Sequence, residues 1–326
     1  MSDPASYRDA AFFVAGGAHI DRRGRCRDAF EPGASNPGTM TELVGGAALN
    51  AARVLRGFGS PVRLVSARGG DGSGEVVARA LAALDIDDMS MTWLDRRTPT
   101  YTAILDVTGD LVGGLADMAL YDLMRPRVFT RRHIREALAA ADALLLDANL
   151  PAETIEHLAN EAGKRPIFAI GVSPAKAVRL APALPKLAAL FVSRAEAAAI
   201  TGASPDGSAG ALAERLAEAG CRRAVVTDGP RPATIVFDGE MRRQMPPEVR
   251  SLHDVTGAGD TLAGAASFAF AAGEPFLEAV RFGMVAASLH VSAERRSGDF
   301  TVDAIREAAR KLPPPTENDH EFEDAK

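Results

Sequence analysis

The amino-acid sequence predicts a three-layer α/β/α fold, in which a mostly parallel sheet lies between two layers of helices and carries a small β lid. Short apolar runs rich in β-forming residues recur along the chain, and Ala- and Leu-rich segments with helical spacing separate them. The strand-like runs cover residues 12–17, 62–69, 143–150, 166–172, 189–193 and 224–229, and the helical segments include 46–58, 73–84, 151–163 and 207–220. This alternation is typical of right-handed crossovers, which place helices on both faces of a sheet and ligands at the carboxyl ends of its strands.

Two segments interrupt the alternation and predict the lid. Residues 18–44 are rich in Gly, Pro, Arg and Asp, and residues 98–118 have the pattern of two strands joined by a turn at Thr108 and Gly109. Both segments fall among the early β/α units, where we expect them to pack as a small sheet over the ligand cleft. From 257 to about 311 the pattern is almost wholly helical.

The domain organisation follows from these features. We predict a short N-terminal tail over residues 1–10 and one domain over 11–313. Residues 314–326 combine prolines with the acidic side chains Glu317, Asp319, Glu321, Glu323 and Asp324, and this composition predicts a disordered tail.

The composition excludes several classes of protein. A net charge of -6 argues against a nucleic-acid partner, because phosphate backbones are bound by clustered basic residues. Only Cys26 and Cys221 are present, so a disulfide framework is not expected, and the six histidines lack metal-ligand spacing. The N-terminus has no signal-peptide pattern, and no apolar run approaches the ~18 residues of a membrane span. The sequence therefore predicts a cytoplasmic protein without a membrane partner.

The stretch DVTGAGDTLAGA, residues 254–265, indicates an anion-binding turn before a helix. Gly257, Ala258 and Gly259 allow successive backbone N–H groups to point into one concavity, to which the helix adds its positive end. Asp260 follows at the rim, where the helix dipole is expected to lower its pKa. Such a carboxylate can orient an alcohol and accept its proton late during phosphoryl transfer. The alternative is that the glycines only cap the helix and Asp260 only favours its N-terminus.

Together with a second motif, this turn resembles the ribokinase-type (PfkB) family of sugar and nucleoside kinases. The C-terminal family signature stands here as residues 254–260, with its threonine one position later than usual. The N-terminal signature, a Gly-Gly pair followed by Asn, stands as GGAALN over 45–50, with Ala48 at a position where the family has glycine. The resemblance covers about 11–311 and implies a ribokinase-like fold and an ATP-dependent kinase.

The resemblance implies substrate-binding roles for five residues. Asp21 and Asn50 match positions that contact sugar hydroxyls, and Gly45 and Gly46 match positions where the backbone approaches the ribose. Asn149, at the carboxyl end of a predicted strand, is a further substrate contact. Each also has a purely structural explanation as a loop, turn or helix-start residue.

The resemblance also implies an ATP and Mg²⁺ site. Thr227 and Gly229 match the strand end that contacts the ATP phosphates. Ser193 and Glu196 occupy the family's N-x-x-E motif, in which the glutamate helps to hold Mg²⁺ through water; here Ser193 replaces the asparagine. Pro232 replaces the second glycine of the phosphate loop, and both changes bear on the strength of ATP binding.

Further charged and oxygen-bearing residues lie near these motifs. Asp254 and Thr256 can supply oxygens to a monovalent cation such as K⁺, which the family often uses beside the anion turn. Lys176 and the Arg22–Arg23 pair are the best phosphate-binding candidates among the charges, with a solvated surface role as the alternative.

Within the family, several short motifs are similar to those of pseudouridine kinases. They are AHID at 18–21, SNPG at 35–38, LDVTGDLV at 105–112, ADM at 116–118 and DAN at 147–149. The resemblance thus implies an ATP-dependent kinase for the 5'-hydroxyl of a ribonucleoside, with pseudouridine as the first choice of substrate, and a homodimer formed through the lid. The alternatives are a kinase for another sugar or nucleoside, such as ribose or adenosine, and a catalytically weak ligand-binding protein. A dinucleotide-dependent oxidoreductase is a more distant alternative, because residues 12–21 lack the G-x-G-x-x-G spacing.

Overall fold

The computed structural model describes residues 10–252, 255–292 and 300–317, which form three sheets and two layers of helices. The strands are β1 Phe12–Ala15, β2 His19–Cys26, β3 Gly38–Gly45, β4 Val62–Val65, β5 Ala67–Gly69, β6 Asp87–Asp88, β7 Met91–Trp93, β8 Thr100–Leu105, β9 Leu111–Asp117, β10 Ala143–Asp147, β11 Ile167–Ile170, β12 Ala189–Ser193, β13 Arg223–Asp228, β14 Arg231–Phe237, β15 Glu240–Gln244 and β16 Thr316–Glu317.

The helices follow the predicted alternation with the strands. They are α1 Ala47–Gly57, α2 Gly72–Ala83, α3 Pro126–Phe129, α4 Arg132–Ala139, α5 Ala152–Glu161, α6 Pro174–Ala177, α7 Arg194–Thr201, α8 Ala209–Glu218, α9 Ala258–Ala271, α10 Phe276–Val291 and α11 Val302–Arg310. Two 3₁₀ segments, Ala119–Leu123 and Val178–Lys186, complete the set. No helix in the described ranges has both the length and the apolar character that a membrane crossing requires.

The central sheet has ten strands in the order β16, β15, β14, β13, β12, β11, β10, β1, β4 and β6. All pairs from β13 to β6 are parallel, and β14, β15 and β16 add an antiparallel edge. The predicted strands are all present in the parallel part. The antiparallel edge is not among the predicted strands. β15 reads EMRRQ and lacks an apolar run, whereas β14 contains the apolar run ATIVF, which was a usable signal.

The core lies on both faces of this sheet. In β1, Phe12 and Val14 face a cluster that includes α1, α9, α10 and α11, whereas Phe13 and Ala15 face a cluster that includes α4, α5, α7 and α8. This alternation is the consequence of the two-residue period of a strand. The predicted three-layer α/β/α fold is therefore confirmed.

The lid is a separate four-stranded sheet in the order β3, β2, β8 and β9. β2 pairs with β3 in antiparallel and with β8 in parallel register, and β9 is antiparallel to β8. The two segments that interrupt the alternation in the sequence thus combine in one small sheet, as predicted. β5 and β7 form a further two-stranded sheet.

The predicted boundary at residue 313 needs correction. Thr316 and Glu317 form β16 by pairing with Arg243 and Arg242 of β15, so the chain continues the sheet beyond that boundary. Acidic composition did not prevent this pairing, because β15 is basic and Arg242 faces Glu317 at 3.9 Å. The rest of the predicted tail, 318–326, and residues 1–9 lie outside the described residues.

Candidate active site

A cavity of about 600 Å³ lies at the carboxyl ends of β10 to β13, beneath the lid. Its walls contain most of the residues that the sequence predicts for the site: Asp21, Gly46, Asn50, Asn149, Ser193, Glu196, Thr227, Thr256, Gly257, Gly259 and Asp260. Ala258, Gly45 and Gly229 are not part of this wall. Asp254 lies outside the described residues.

The glycine turn, for which the sequence predicts an anion site, lies at the start of α9. Gly257 adopts a left-handed conformation with φ 78° and caps the helix, so a glycine is favoured there. The N–H of Ala258 is already used, since it donates to the carbonyl of Val255 at 3.2 Å. The N–H groups of Gly259 and Asp260 have no acceptor among the described residues. These two N–H groups, and not the N–H of Ala258, are therefore available to the anion that the sequence predicts here.

The carboxylate of Asp260 is held by α1. Asn50 Nδ2 donates to Asp260 Oδ2 at 2.8 Å. Burial raises the pKa of Asp260 to about 6, against the effect of the Asn50 hydrogen bond, and the negative charges of Asp147, Glu196 and Asp21 raise it further. The prediction that the helix dipole lowers this pKa was therefore wrong, because burial and neighbouring carboxylates outweigh the helix end.

The Gly-Gly pair allows close packing beneath the lid. A Cβ on Gly45 would lie 2.0 Å from Asp21 Oδ2, and a Cβ on Gly46, which has φ 108°, would lie 2.4 Å from the carbonyl oxygen of Gly17. Gly46 lines the cavity, whereas Gly45 packs against the carboxylate of Asp21 and is not part of the cavity wall. The two glycines thus allow the Asp21 carboxylate and the Gly17 carbonyl to pack closely against the backbone at the start of α1.

Asp147 is a central residue that the sequence did not single out. It is fully buried at the end of β10. Its Oδ2 accepts from the backbone N–H of Gly17 at 2.8 Å and of Ala48 at 2.9 Å, and from Asn149 Nδ2 at 3.0 Å. Its Oδ1 accepts from the backbone N–H of Asn149 at 2.8 Å. The DAN motif was the available signal, but it does not reveal which backbone groups Asp147 binds.

Lys176 brings a positive charge to the cavity wall from α6. Its Nζ donates to Asn149 Oδ1 at 2.5 Å. Burial lowers the pKa of Lys176, and the nearby charge of Asp147 opposes that effect. Asn149 is buried and joins Lys176 to Asp147 through its side-chain amide. The surface role considered for Lys176 therefore does not apply.

Ser193 and Glu196 form a capping box at the start of α7. The Glu196 N–H donates to Ser193 Oγ at 3.3 Å, and the Ser193 N–H donates to Glu196 Oε2 at 2.8 Å. A Cβ on Gly171 would lie 2.5 Å from Glu196 Oε2, so the carboxylate packs tightly against the end of β11. Burial raises the pKa of Glu196. Both residues line the cavity, but their hydrogen bonds also have a structural role.

The remaining nucleotide-side residues are at the end of β13. Thr227 lines the cavity and its hydroxyl donates to the carbonyl of Val192 at 3.4 Å. Gly229, with φ 60°, lies in the turn to β14, where Asp228 pairs with Arg231 at 2.7 Å. Thr227 thus lies on the cavity wall, whereas Gly229 lies in the turn between β13 and β14 and not on that wall.

Two side chains contact Thr256, which the sequence predicts as a ligand of a monovalent cation. Arg23 Nη2 donates to Thr256 Oγ1 at 2.7 Å, and His290 Nε2 is 3.0 Å from the Thr256 carbonyl oxygen. Each of these oxygens keeps a second lone pair, so the K⁺ site at Asp254 and Thr256 stays a prediction. Arg22 pairs instead with Glu42 of the lid at 2.5 Å. Among the described residues no group of three acidic, histidine or cysteine side chains could hold a metal ion.

Comparison with known proteins assigns the family. Residues 11–299 match the pfkB family of carbohydrate kinases. The chain belongs to this family. The kinase is 26% identical to the pseudouridine kinase of Escherichia coli (strain K12) over 293 residues, which cover 86% of this chain and 90% of that protein.

Solved structures agree with this assignment. A carbohydrate kinase from Agrobacterium tumefaciens is 43% identical, with a TM-score of 0.81 over 94% of this chain and 99% of that one. The ribokinase of Arabidopsis thaliana, solved with ribose and ATP, is 20% identical, with a TM-score of 0.79 over 92% and 99% of the two chains. The second likeness shows the fold alone. The protein is thus a sugar or nucleoside kinase of the pfkB family, which uses ATP.

Replacing Asp147 tests whether its buried carboxylate holds the site together. We expect Asp147→Ala to lower the free energy of unfolding by about 3 kcal/mol or more, because it leaves buried N–H donors without an acceptor. The free energy of unfolding of Asp147→Asn should fall by less than that of Asp147→Ala. Chemical denaturation measures both. The control is Asp142→Ala, an exposed carboxylate that accepts one bond from the N–H of Ala11; equal losses for Asp142→Ala and Asp147→Ala would contradict the prediction.

Proposed function

We propose that this kinase transfers the γ-phosphoryl group of ATP to the primary 5'-hydroxyl of a ribonucleoside, and that the nucleoside is pseudouridine. The observation that carries the reaction is the position of Asp260, whose carboxylate shares the cavity with the free N–H groups at the start of α9. The substrate is supported by the similarity to the Escherichia coli pseudouridine kinase and by the short motifs of the chain.

In the proposed reaction Asp260 orients the hydroxyl and accepts its proton as the O–P bond forms. A pKa of about 6 leaves the carboxylate mainly ionised at neutral pH, yet closer to that pH than an ordinary aspartate. The N–H groups of Gly259 and Asp260 stabilise the charge on the transferring phosphoryl group. Because phosphoryl transfer depends on position and electrostatics more than on early deprotonation, this arrangement suits the reaction.

The substrate lies under the lid in this proposal. Asp21 and Asn149 are polar groups that face the cavity from β2 and from the end of β10, and Asn50 reaches it from α1. A volume of about 600 Å³ is within the range of small-molecule sites. The lid limits access of water, which would otherwise compete as phosphoryl acceptor.

ATP lies on the opposite wall, beside Ser193, Glu196 and Thr227. Lys176 is the proposed phosphate contact, since it lines the same cavity and its ammonium group donates to Asn149. Mg²⁺ bound with ATP would neutralise phosphate charge, and Glu196 fits a contact through water because its second carboxylate oxygen has no partner among the described residues. The ATP phosphates would supply the direct ligands that the chain does not.

Comparing acceptors tests the proposal directly. With wild-type enzyme and ATP, we expect pseudouridine to give the highest kcat/KM in a panel with uridine, adenosine and ribose, measured by coupled ATP consumption. Asp260→Ala should reduce this rate roughly 10²- to 10⁴-fold while nucleoside binding persists. Asp95→Ala, an exposed aspartate away from the cavity, is the control.

The outcomes separate the alternatives. A higher kcat/KM for ribose or adenosine would contradict pseudouridine as the substrate but leave the kinase in place. No consumption of ATP with any acceptor would favour the ligand-binding alternative, which the substitutions Ser193 and Pro232 suggest.

The pH dependence tests the role of Asp260. We expect kcat/KM to rise with pH through about 6 and then level off, because the ionised carboxylate is the active form. The bond from Asn50 favours that form, so Asn50→Ala should move the midpoint upward by roughly one pH unit. Asn36→Ala, which removes an amide bonded only within the lid loop, should leave it in place. An unchanged midpoint in Asn50→Ala would contradict the proposal that Asp260 is the group whose ionisation controls kcat/KM.

We also propose that the kinase is a homodimer formed through the lid. Five large apolar side chains of the lid strands β3 and β9 are exposed, Met40, Leu43, Leu111, Val112 and Leu115. Met40 and Leu115 lie on the same face of the lid sheet, and a second copy would cover that face. The paired change Met40→Lys and Leu115→Glu should then give a monomer in light scattering. Leu94→Glu, an exposed leucine outside the lid, is the control. A wild-type monomer, or a dimer that survives the paired change, would contradict this interface.

A further inference from the structure

A buried histidine and tyrosine lie directly behind the substrate-side carboxylate. His19 Nε2 is 3.3 Å from Asp21 Oδ1, and His19 Nδ1 is 3.1 Å from Tyr121 Oη. Tyr121 is 1% exposed and His19 7% exposed, so neither is a surface residue that happens to be near. The imidazole thus joins the phenol to Asp21, although Tyr121 and His19 are 102 positions apart in the chain.

The contact between His19 and Asp21 has the distance of an ion pair and not the geometry of a hydrogen bond, and the charge of the carboxylate determines which ring nitrogen carries the proton. A carboxylate can only accept, so Nε2 must carry a hydrogen for the contact with Asp21 to be favourable. In the neutral ring Nδ1 is then an acceptor, and the Tyr121 hydroxyl donates to it. Burial and the charge of Asp147 raise the pKa of Tyr121, which keeps this hydroxyl protonated. The backbone N–H of Ala18 donates to Tyr121 Oη at 3.0 Å and holds the phenol from the other side.

The Gly-Gly pair closes around the same groups. A Cβ on Gly45 would meet Asp21 Oδ2 at 2.0 Å, and a Cβ on Gly46 would meet His19 Nδ1 at 3.0 Å. One oxygen of Asp21 therefore faces the imidazole and the other packs on the backbone of Gly45. The side chain has little room to rotate, yet Asp21 and His19 both line the cavity.

We propose that His19 and Tyr121 are positioning residues, which fix the Asp21 carboxylate in the orientation that accepts substrate hydroxyls. The inference rests on the proposed function, in which Asp21 binds the acceptor. Neither residue touches the transferred phosphoryl group in this scheme. Their loss should thus weaken binding of the acceptor and leave the ATP site and the chemical step intact.

Steady-state kinetics of three variants test this. Tyr121→Phe keeps the ring and removes the donor to His19, and we expect a roughly threefold to tenfold higher KM for the nucleoside. His19→Leu should raise that KM at least as much. His19→Gln, which can still present an amide N–H to Asp21, should recover part of the loss. For all three variants kcat and the KM for ATP should stay within about twofold of the wild type.

The control variant is Thr154→Val. It also removes one buried hydroxyl, which donates to the carbonyl of Met124 at 2.7 Å, but it does not line the cavity. Its nucleoside KM should be unchanged at a similar loss of stability. Equal KM values for Tyr121→Phe, Thr154→Val and the wild type would overturn the positioning role, as would a fall in kcat alone.

Ring ¹⁵N NMR of His19 gives a readout that needs no activity. We expect a protonated Nε2 in the wild-type protein and a changed Nδ1 signal in Tyr121→Phe. A neutral ring with the proton on Nδ1 would overturn the proposal. If the wild type phosphorylates no acceptor, the proposed function fails, and the NMR result together with calorimetric nucleoside binding to Tyr121→Phe still decides the roles of His19 and Tyr121.

Discussion

The buried carboxylate of Asp147 is the interaction on which the rest of the site depends. An unpaired charge in a protein interior is strongly unfavourable, and here N–H donors from three segments compensate it. Gly17 follows β1, Ala48 lies in the first turn of α1, and Asn149 follows β10. Gly16 comes so close that a Cβ there would lie 2.3 Å from Asp147 Cγ. One side chain therefore fixes how the strand leading to the lid and the helix leading to Asn50 leave the sheet.

The electrostatics of the cavity follow from the same packing. A helix N-terminus stabilises a carboxylate by about 0.3–1 kcal/mol, which corresponds to less than one pH unit. Burial can shift a pKa by several units, and near Asp260 it acts together with the charges of Asp147, Glu196 and Asp21. Burial has a larger effect than the helix end, so the pKa of Asp260, which the sequence predicts to be lowered, is about 6. A group of this kind is a better proton acceptor at neutral pH than an ordinary aspartate.

Features that depend on local pattern could be predicted from the sequence, and those that depend on distant contacts could not. Six of the seven parallel strands of the central sheet have apolar runs of their own, whereas β6 and β15 are polar segments that are held by pairing with β4 and β14. The glycine pattern predicts an anion site, but only the structure shows that the N–H of Ala258 donates to the carbonyl of Val255. The role of Asp147 depends on Gly17, 130 positions away, and no spacing rule connects the two.

Strand β2 links the two halves of the proposed reaction. Asp21 and Arg23 are two positions apart on it and therefore share one face of the lid sheet. Asp21 faces the cavity, and Arg23 donates to Thr256 next to the anion turn at 2.7 Å. Because a strand advances ~3.3 Å per residue, the carboxylate and the contact with the turn are held at a nearly fixed separation. Movement of the lid relative to α9 strains the Arg23 contact, so in the proposed reaction the position of the acceptor and the position of the glycine turn are coupled through one short strand.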